Sequence, residues 1–259
     1  MMLAWVNASV AFFIYVIVLA PLVPRLVRRR RLLAAAGSAV GLLIATVAQI
    51  RAHSTVLHGW LLPLVLLLLG YWSSGLLFAG PMPRAERLLN ELDRLLHVDE
   101  AAHATARPLA ELLEAAYAGV YPLVPLGLVV HLLATPAPDP DRFWTVVLVT
   151  DFTCFAFLPW IQTRPPRAFR SADPWISHIR RLNLRLLGKT SIQVNTIPSG
   201  HAAEALAVVL LVAGAPWPVV GAVAIAGVLV TLGSVLGRYH YSADALSGWM
   251  VAVGVWLLV

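Results

Sequence analysis

Apolar runs of about twenty residues, separated by short polar breaks, dominate the 259-residue chain. Their length is that of a membrane-spanning helix. The candidate spans are Leu3–Val23, Leu32–Ile50, Trp60–Gly80, Ala115–Leu133, Phe143–Ile161, a short one at Ala202–Gly214, then Val219–Leu236 and Ala243–Val259. Trp5, Trp60, Trp144, Trp160, Trp217 and Trp256 fall near segment ends, as an interfacial aromatic belt does. Two stretches break the pattern. In Pro81–Glu114, Leu88, Leu89, Leu92, Leu95 and Leu96 recur at three and four residues, with Arg87, Glu91, Asp93 and Arg94 between them. This predicts an amphipathic helix, lying in the headgroup region or packed on the bundle's own loops. The other stretch, Gln162–Ser199, carries Arg164, Arg167, Arg170, Arg180, Arg181, Arg185 and Lys189 against a single acid, Asp173. The pattern predicts an all-α fold, a polytopic transmembrane bundle of about six to eight spans with one interfacial helix. It divides into N-terminal spans over 1–80 and a helical membrane domain over 81–259.

Composition supports lipid as the solvent. Hydrophobic residues make up 59% and charged residues 12% of the chain, against about 25% charged in an ordinary soluble domain. The first apolar run is followed by Arg28–Arg31 rather than by a small-residue cleavage site, so it is expected to remain as an anchor. The net charge of +6 is read as orientation and headgroup contact. With no basic stripe interleaved with aromatics, nucleic acid is not an expected partner. Cys154, the single cysteine, sits in an apolar run and reads as a buried structural residue. On an eight-span reading, all Lys and Arg except Arg51 and Arg142 fall on one face. The positive-inside rule assigns that face to the cytoplasm.

Three polar blocks carry candidate chemistry: Thr163-Arg164-Pro165-Pro166-Arg167, Pro198-Ser199-Gly200-His201, and Arg238-Tyr239-His240-Tyr241-Ser242-Ala243-Asp244. The active-site loops are thus expected at 162–201 and 234–244. Between His201 and His240 lie two apolar helices joined by a turn around Pro216, so the chain crosses, returns, and brings both histidines to one face. The first of these helices is about 21 Å long at 1.5 Å per residue, short of a hydrocarbon core of about 30 Å, which predicts that His201 is recessed. Ser199-Gly200-His201 open a helix, whose free N–H groups and dipole attract an anion. Arginine forks neutralise the equatorial oxygens of a phosphoryl group in transfer. Imidazoles titrate near neutrality and serve as nucleophile or acid. Asp244, one turn beyond His240, can hold the second ring nitrogen. His53, His58, His97, His103, His131 and His178 read as polar anchors. Asp151 and Glu204 are ionisable groups inside apolar runs, which by default mark function; Glu204 is one turn from His201 and could tune it, whereas Asp151 could simply pair with an arginine.

These blocks resemble the type 2 phosphatidic acid phosphatase superfamily, over roughly residues 85–250. Pro198-Ser199-Gly200-His201 matches its second motif. His240 and Asp244, followed by Ala245-Leu246-Ser247-Gly248, match its third. The stretch from about Leu88 to Ala118 looks like the membrane branch containing inositol phosphorylceramide synthases. The resemblance implies His240 as a nucleophile forming a phosphohistidine, Asp244 as its partner, and His201 as the acid for the leaving alcohol. Ser199, Gly200 and arginines would bind the phosphate, with no metal and no cofactor. Two positions depart from the pattern. Phe157 stands where the first motif has Lys, and either Arg164 or Arg167 is its arginine. Ser234 stands where the third motif has Arg, and Arg238 lies one turn further on. Membrane relatives act on the outer face, so the side of the site stays open between this and the charge count.

The expected activity is that of a lipid-phosphate phosphatase or phosphotransferase, in a multi-pass protein of the cell (inner) membrane. Its partners are a lipid phosphate substrate and membrane lipids. The sequence does not choose hydrolysis over transfer, the particular lipid, or the oligomeric state. Two competing readings are a metal hydrolase using His201, Glu204, His240 and Asp244, and a non-catalytic lipid-binding or transport protein with a degenerate site.

Overall fold

The computed structural model describes residues 3–50, 57–169 and 173–259. Arg51, His53 and Arg170 lie outside the described residues, as does the side chain of His58. Among the described residues the fold is all-helical, with 75% of them in helix. In order the helices are α1 (Ala4–Leu19), α2 (Arg28–Ile50), α3 (Leu62–Gly75), α4 (Pro83–Leu95), α5 (Val98–Ala104), α6 (Arg107–Ala118), α7 (Val120–Ala134), α8 (Pro140–Ala156), α9 (His178–Thr190), α10 (Gly200–Leu211), α11 (Trp217–Leu236) and α12 (Ser242–Leu258).

Fewer helices are long enough to cross a membrane than the apolar runs suggest. Among the described residues, Arg28–Gln49 and α11 qualify by length and composition, and α6 with α7 form a third candidate bent by 66°. Six to eight spans are therefore not established. Breaks inside the runs are responsible. Pro21 and Pro24 follow α1 after sixteen residues, Pro159 follows the end of α8, and Pro216 stands between α10 and α11. Proline lacks the N–H that would continue the helical ladder and disfavours helix in the residue before it. Two or three such helices in so apolar a chain still mark a membrane protein.

α10 is the hub, packing against α7, α8, α11 and α12. α1 and α3 pack on α8, where the Phe12 and Phe152 rings stack with centroids 4.3 Å apart. The N-terminal helices and α8 thus share one buried core. The polar stretch at 81–114 folds as three helices, α4 to α6, rather than one. α4 buries Glu86, Leu89 and Asp93 and exposes Leu88, Leu92 and Leu95. Its docking contacts are polar: Asp93 Oδ1 accepts from the Ser242 backbone at 2.9 Å and from its hydroxyl at 2.7 Å. A helix that docks through Glu86, Leu89 and Asp93 and leaves Leu88, Leu92 and Leu95 outward suits a lipid interface.

Candidate active site

Close backbone packing fixes the second and third sequence blocks against each other. A Cβ on Gly248 would stand 2.4 Å from the Ser199 carbonyl oxygen, so only glycine lets α12 lie this close to the start of α10. The Ser199 N–H donates to the Asp244 carbonyl at 2.9 Å. Ser199 caps α10, its hydroxyl accepting from Ala202 N–H at 3.3 Å. Asp244 is in the first turn of α12. Its Oδ2 accepts from the Tyr241 N–H at 2.9 Å and from the Asn195 amide at 2.8 Å. Asn195 also donates to the Thr163 hydroxyl at 3.0 Å, tying the first block to the third.

His201 and His240 come together as the hairpin geometry requires, with ring centroids 5.6 Å apart. The α11–α12 connection folds back because the Ser234 carbonyl accepts from the N–H groups of both Tyr239 and His240, each at 2.9 Å. His240 Nδ1 lies 3.6 Å from Asp244 Oδ2, and Nδ1 has no hydrogen-bond partner. Burial first, and then the Arg167 guanidinium, hold the His240 pKa well below the usual imidazole range, at about 3. The ring is therefore neutral, with a free lone pair.

The arginines separate into distinct positions. Arg167 lines a niche of about 20 Å³ together with His201, His240, Tyr117 and Tyr239. Its guanidinium carbon stands 5.3 Å from the Tyr239 ring centre, and its backbone N–H donates to the Arg238 carbonyl at 3.0 Å. Arg164 is held elsewhere: Glu86 accepts from its Nε at 3.1 Å and its Nη2 at 3.0 Å. That bidentate contact raises the Arg164 pKa. Arg238, at a backbone φ of 61°, pairs with Asp99 Oδ1 at 2.9 Å. Neither Arg164 nor Arg238 lines the niche.

The niche shares His201, Tyr71, Thr196 and Ser191 with a larger cavity of about 500 Å³, a size typical of small-molecule sites. Leu64, Leu67, Leu68, Val124 and Phe155 form its apolar wall, and Gly200, Asp151 and Glu204 also line it. His97, His103, His131 and His178 line neither space. Among the described residues no three His, Cys, Asp or Glu side chains gather as metal donors, so His201, Glu204, His240 and Asp244 do not form the set a metal hydrolase would use. Cys154 is buried and free.

Several participants were not singled out from the sequence. Tyr239 stacks on Tyr117 with centroids 3.9 Å apart, and Tyr117 stacks in turn on His201 at 5.5 Å. Behind them Glu114 accepts from the Tyr239 hydroxyl at 2.6 Å, Arg180 at 3.0 Å, Asn183 at 2.8 Å and Trp175 at 2.9 Å. Arg180 also donates to the Gly237 carbonyl at 2.8 Å. An acid at the edge of an apolar run was the visible signal for Glu114, and adjacency to His240 the signal for Tyr239.

A family model described as the PAP2 superfamily matches residues 87–258. The chain belongs to this superfamily, whose members are phosphatases and related phosphoesterases, which supports phosphatase-type chemistry on a phosphoric ester. No curated protein and no solved structure matches it.

Proposed function

We propose that the chain is a membrane lipid-phosphate phosphatase or phosphotransferase that works through a phosphohistidine on His240. The observation that carries this reading is the junction of two spaces. His201, His240 and Arg167 line a small polar niche, which shares His201, Tyr71, Ser191 and Thr196 with a largely apolar cavity. A phosphate seated at the junction would meet the cation and both rings, while its lipid chain would lie among Leu64, Leu67 and Phe155.

The roles follow from position. His240 Nδ1 faces Asp244, leaving Nε2 to attack phosphorus. The N–P bond forms as the ester P–O bond breaks, and His201 gives its proton to the departing alkoxide. An arriving phosphate anion favours the protonated form of His201. Asp244, fixed by Asn195 and Tyr241, steadies the His240 ring as charge develops. Water or a second alcohol then attacks phosphorus, its proton passes to His201, and the N–P bond breaks. Arg167 supplies the cationic fork. Because the Ser199 hydroxyl is engaged as a cap and its N–H donates to the Asp244 carbonyl, Ser199 shapes the loop, and the phosphate would be met by the Gly200 N–H that opens α10. Arg164 and Arg238, held by Glu86 and Asp99, position the loops around the site. No metal has a part in these steps.

The same reading places the protein as a multi-pass protein of the cell (inner) membrane. The outward leucines of α4 would lie at the headgroup level, where a lipid phosphate is met. The test is phosphate release from phosphatidate, an isoprenyl phosphate and a phosphoinositol lipid by purified protein. Release from at least one is expected, blocked by vanadate, indifferent to chelators and lost in His240→Ala. Equal inactivity of wild type and His240→Ala across all three, or abolition by chelator, overturns the reading.

A further inference from the structure

Asp151 has no part in these steps, yet it lies beside them. It comes from α8, is only 2% exposed, and its Oδ2 has no hydrogen-bond partner. Its other oxygen lies 3.2 Å from where a Cβ on Gly200 would stand, so the carboxyl abuts the first turn of α10. Glu204, one turn after His201, lines the same cavity. The cavity also carries the hydroxyls of Tyr71, Tyr121, Ser191 and Thr196, yet Asp151 Oδ2 receives no donor from them, and a buried acid is costly unless something donates to it.

We propose that this pair recognises a hydrogen-bond donor on the substrate's alcohol portion, a hydroxyl or an ammonium within a few bonds of the esterified oxygen. The inference rests on the phosphate-ester reading, which puts the leaving alcohol on the His201 side of the phosphate, alongside Asp151 and Glu204. A plain alkyl chain leaves both acids unanswered, whereas a donor on the second carbon reaches them while the tail fills the apolar wall. The pair is thus a specificity determinant for lipids with polar substitution next to the phosphate.

The experiment measures binding of three long-chain alkyl phosphonates with identical tails, bearing an amino group, a hydroxyl or hydrogen on the second carbon. Wild type in lipid nanodiscs should bind the amino or hydroxyl compound, or both, about tenfold more tightly than the plain one. Tighter binding of the amino compound would mean that the pair carries negative charge, and equal binding of the two that it accepts as neutral carboxyls; either supports the site. In Glu204→Leu and Asp151→Leu the ratio should fall to about one, and Glu204→Leu alone suffices should Asp151→Leu not fold. Equal binding of all three by wild type, or the same preference in the variants, overturns the proposal. Phosphate release from the matching amino-alkyl phosphate is read separately: discrimination in binding without His240-dependent release would sink the enzymatic reading and leave the recognition site standing.

Discussion

Two buried polar regions stand on either side of Tyr239, and they are built on opposite rules. Behind the ring, Glu114, Arg180, Asn183 and Trp175 meet one another's donors and acceptors, and Arg180 is 3% exposed. In front, His240 Nδ1, Asp244 Oδ1 and Asn195 Oδ1 are buried without hydrogen-bond partners. A satisfied network of this kind rigidifies what it holds, here the Gly237–Tyr241 turn that carries His240. An unsatisfied group is expensive, so this side of the ring gives up stability to hold His240 in place beside the niche. The difference teaches that burial and polarity alone do not mark the site; unmet hydrogen-bonding capacity beside a cavity does.

The contrast makes ordered predictions. Glu114→Ala leaves the buried Arg180 with Asp173 as its one acid and removes the acceptor of Tyr239, Asn183 and Trp175; it should cost about 3–5 kcal/mol of stability, read as loss of folded protein or a sharply lower Tm. Unchanged thermal stability would show that the region behind Tyr239 is not the scaffold. His201→Asn should leave Tm nearly unchanged while phosphate release drops about 10²–10⁴-fold. A matching fall in stability would erase the distinction between the two regions. Arg167→Lys keeps the charge but loses the planar fork, and kcat/KM should fall about tenfold or more; the same replacement at Arg164 should not approach that loss. Gly248→Ala forces α12 away from Ser199 and should cost about 1–3 kcal/mol, with activity falling as the two histidines separate. Smallest is Glu86→Gln: its partner Arg164 is 43% exposed, so the loss should stay within about 1 kcal/mol.

Much of this architecture is legible in residue order. Apolar runs announce α1, α2, α10, α11 and α12, and the interval between His201 and His240 fixes their return to one face. Ser199 as a helix opener follows from its own chemistry. Other features depend on partners far away in the chain. Arg164 and Arg167 are chemically alike and three residues apart; Glu86, distant in sequence, takes one, and the niche takes the other. Arg238 is likewise settled by Asp99. The bend between α6 and α7 turns on where a helix stops at Gly119, a boundary that hydropathy does not resolve. α4 shows the limit of reading periodicity. Its leucine stripe is plain, but which face docks was decided by Arg164 and Ser242, whose contacts with Glu86 and Asp93 turn those two acids inward.

The account stands on His240 as the nucleophile. The most direct measurement is rapid acid-free denaturation during turnover of a lipid substrate labelled at its phosphorus, followed by mapping of protein-bound label. The account predicts an acid-labile, base-stable phosphohistidine in the peptide containing His240, absent from His240→Gln. Turnover without bound label, or label that survives in His240→Gln, would contradict it.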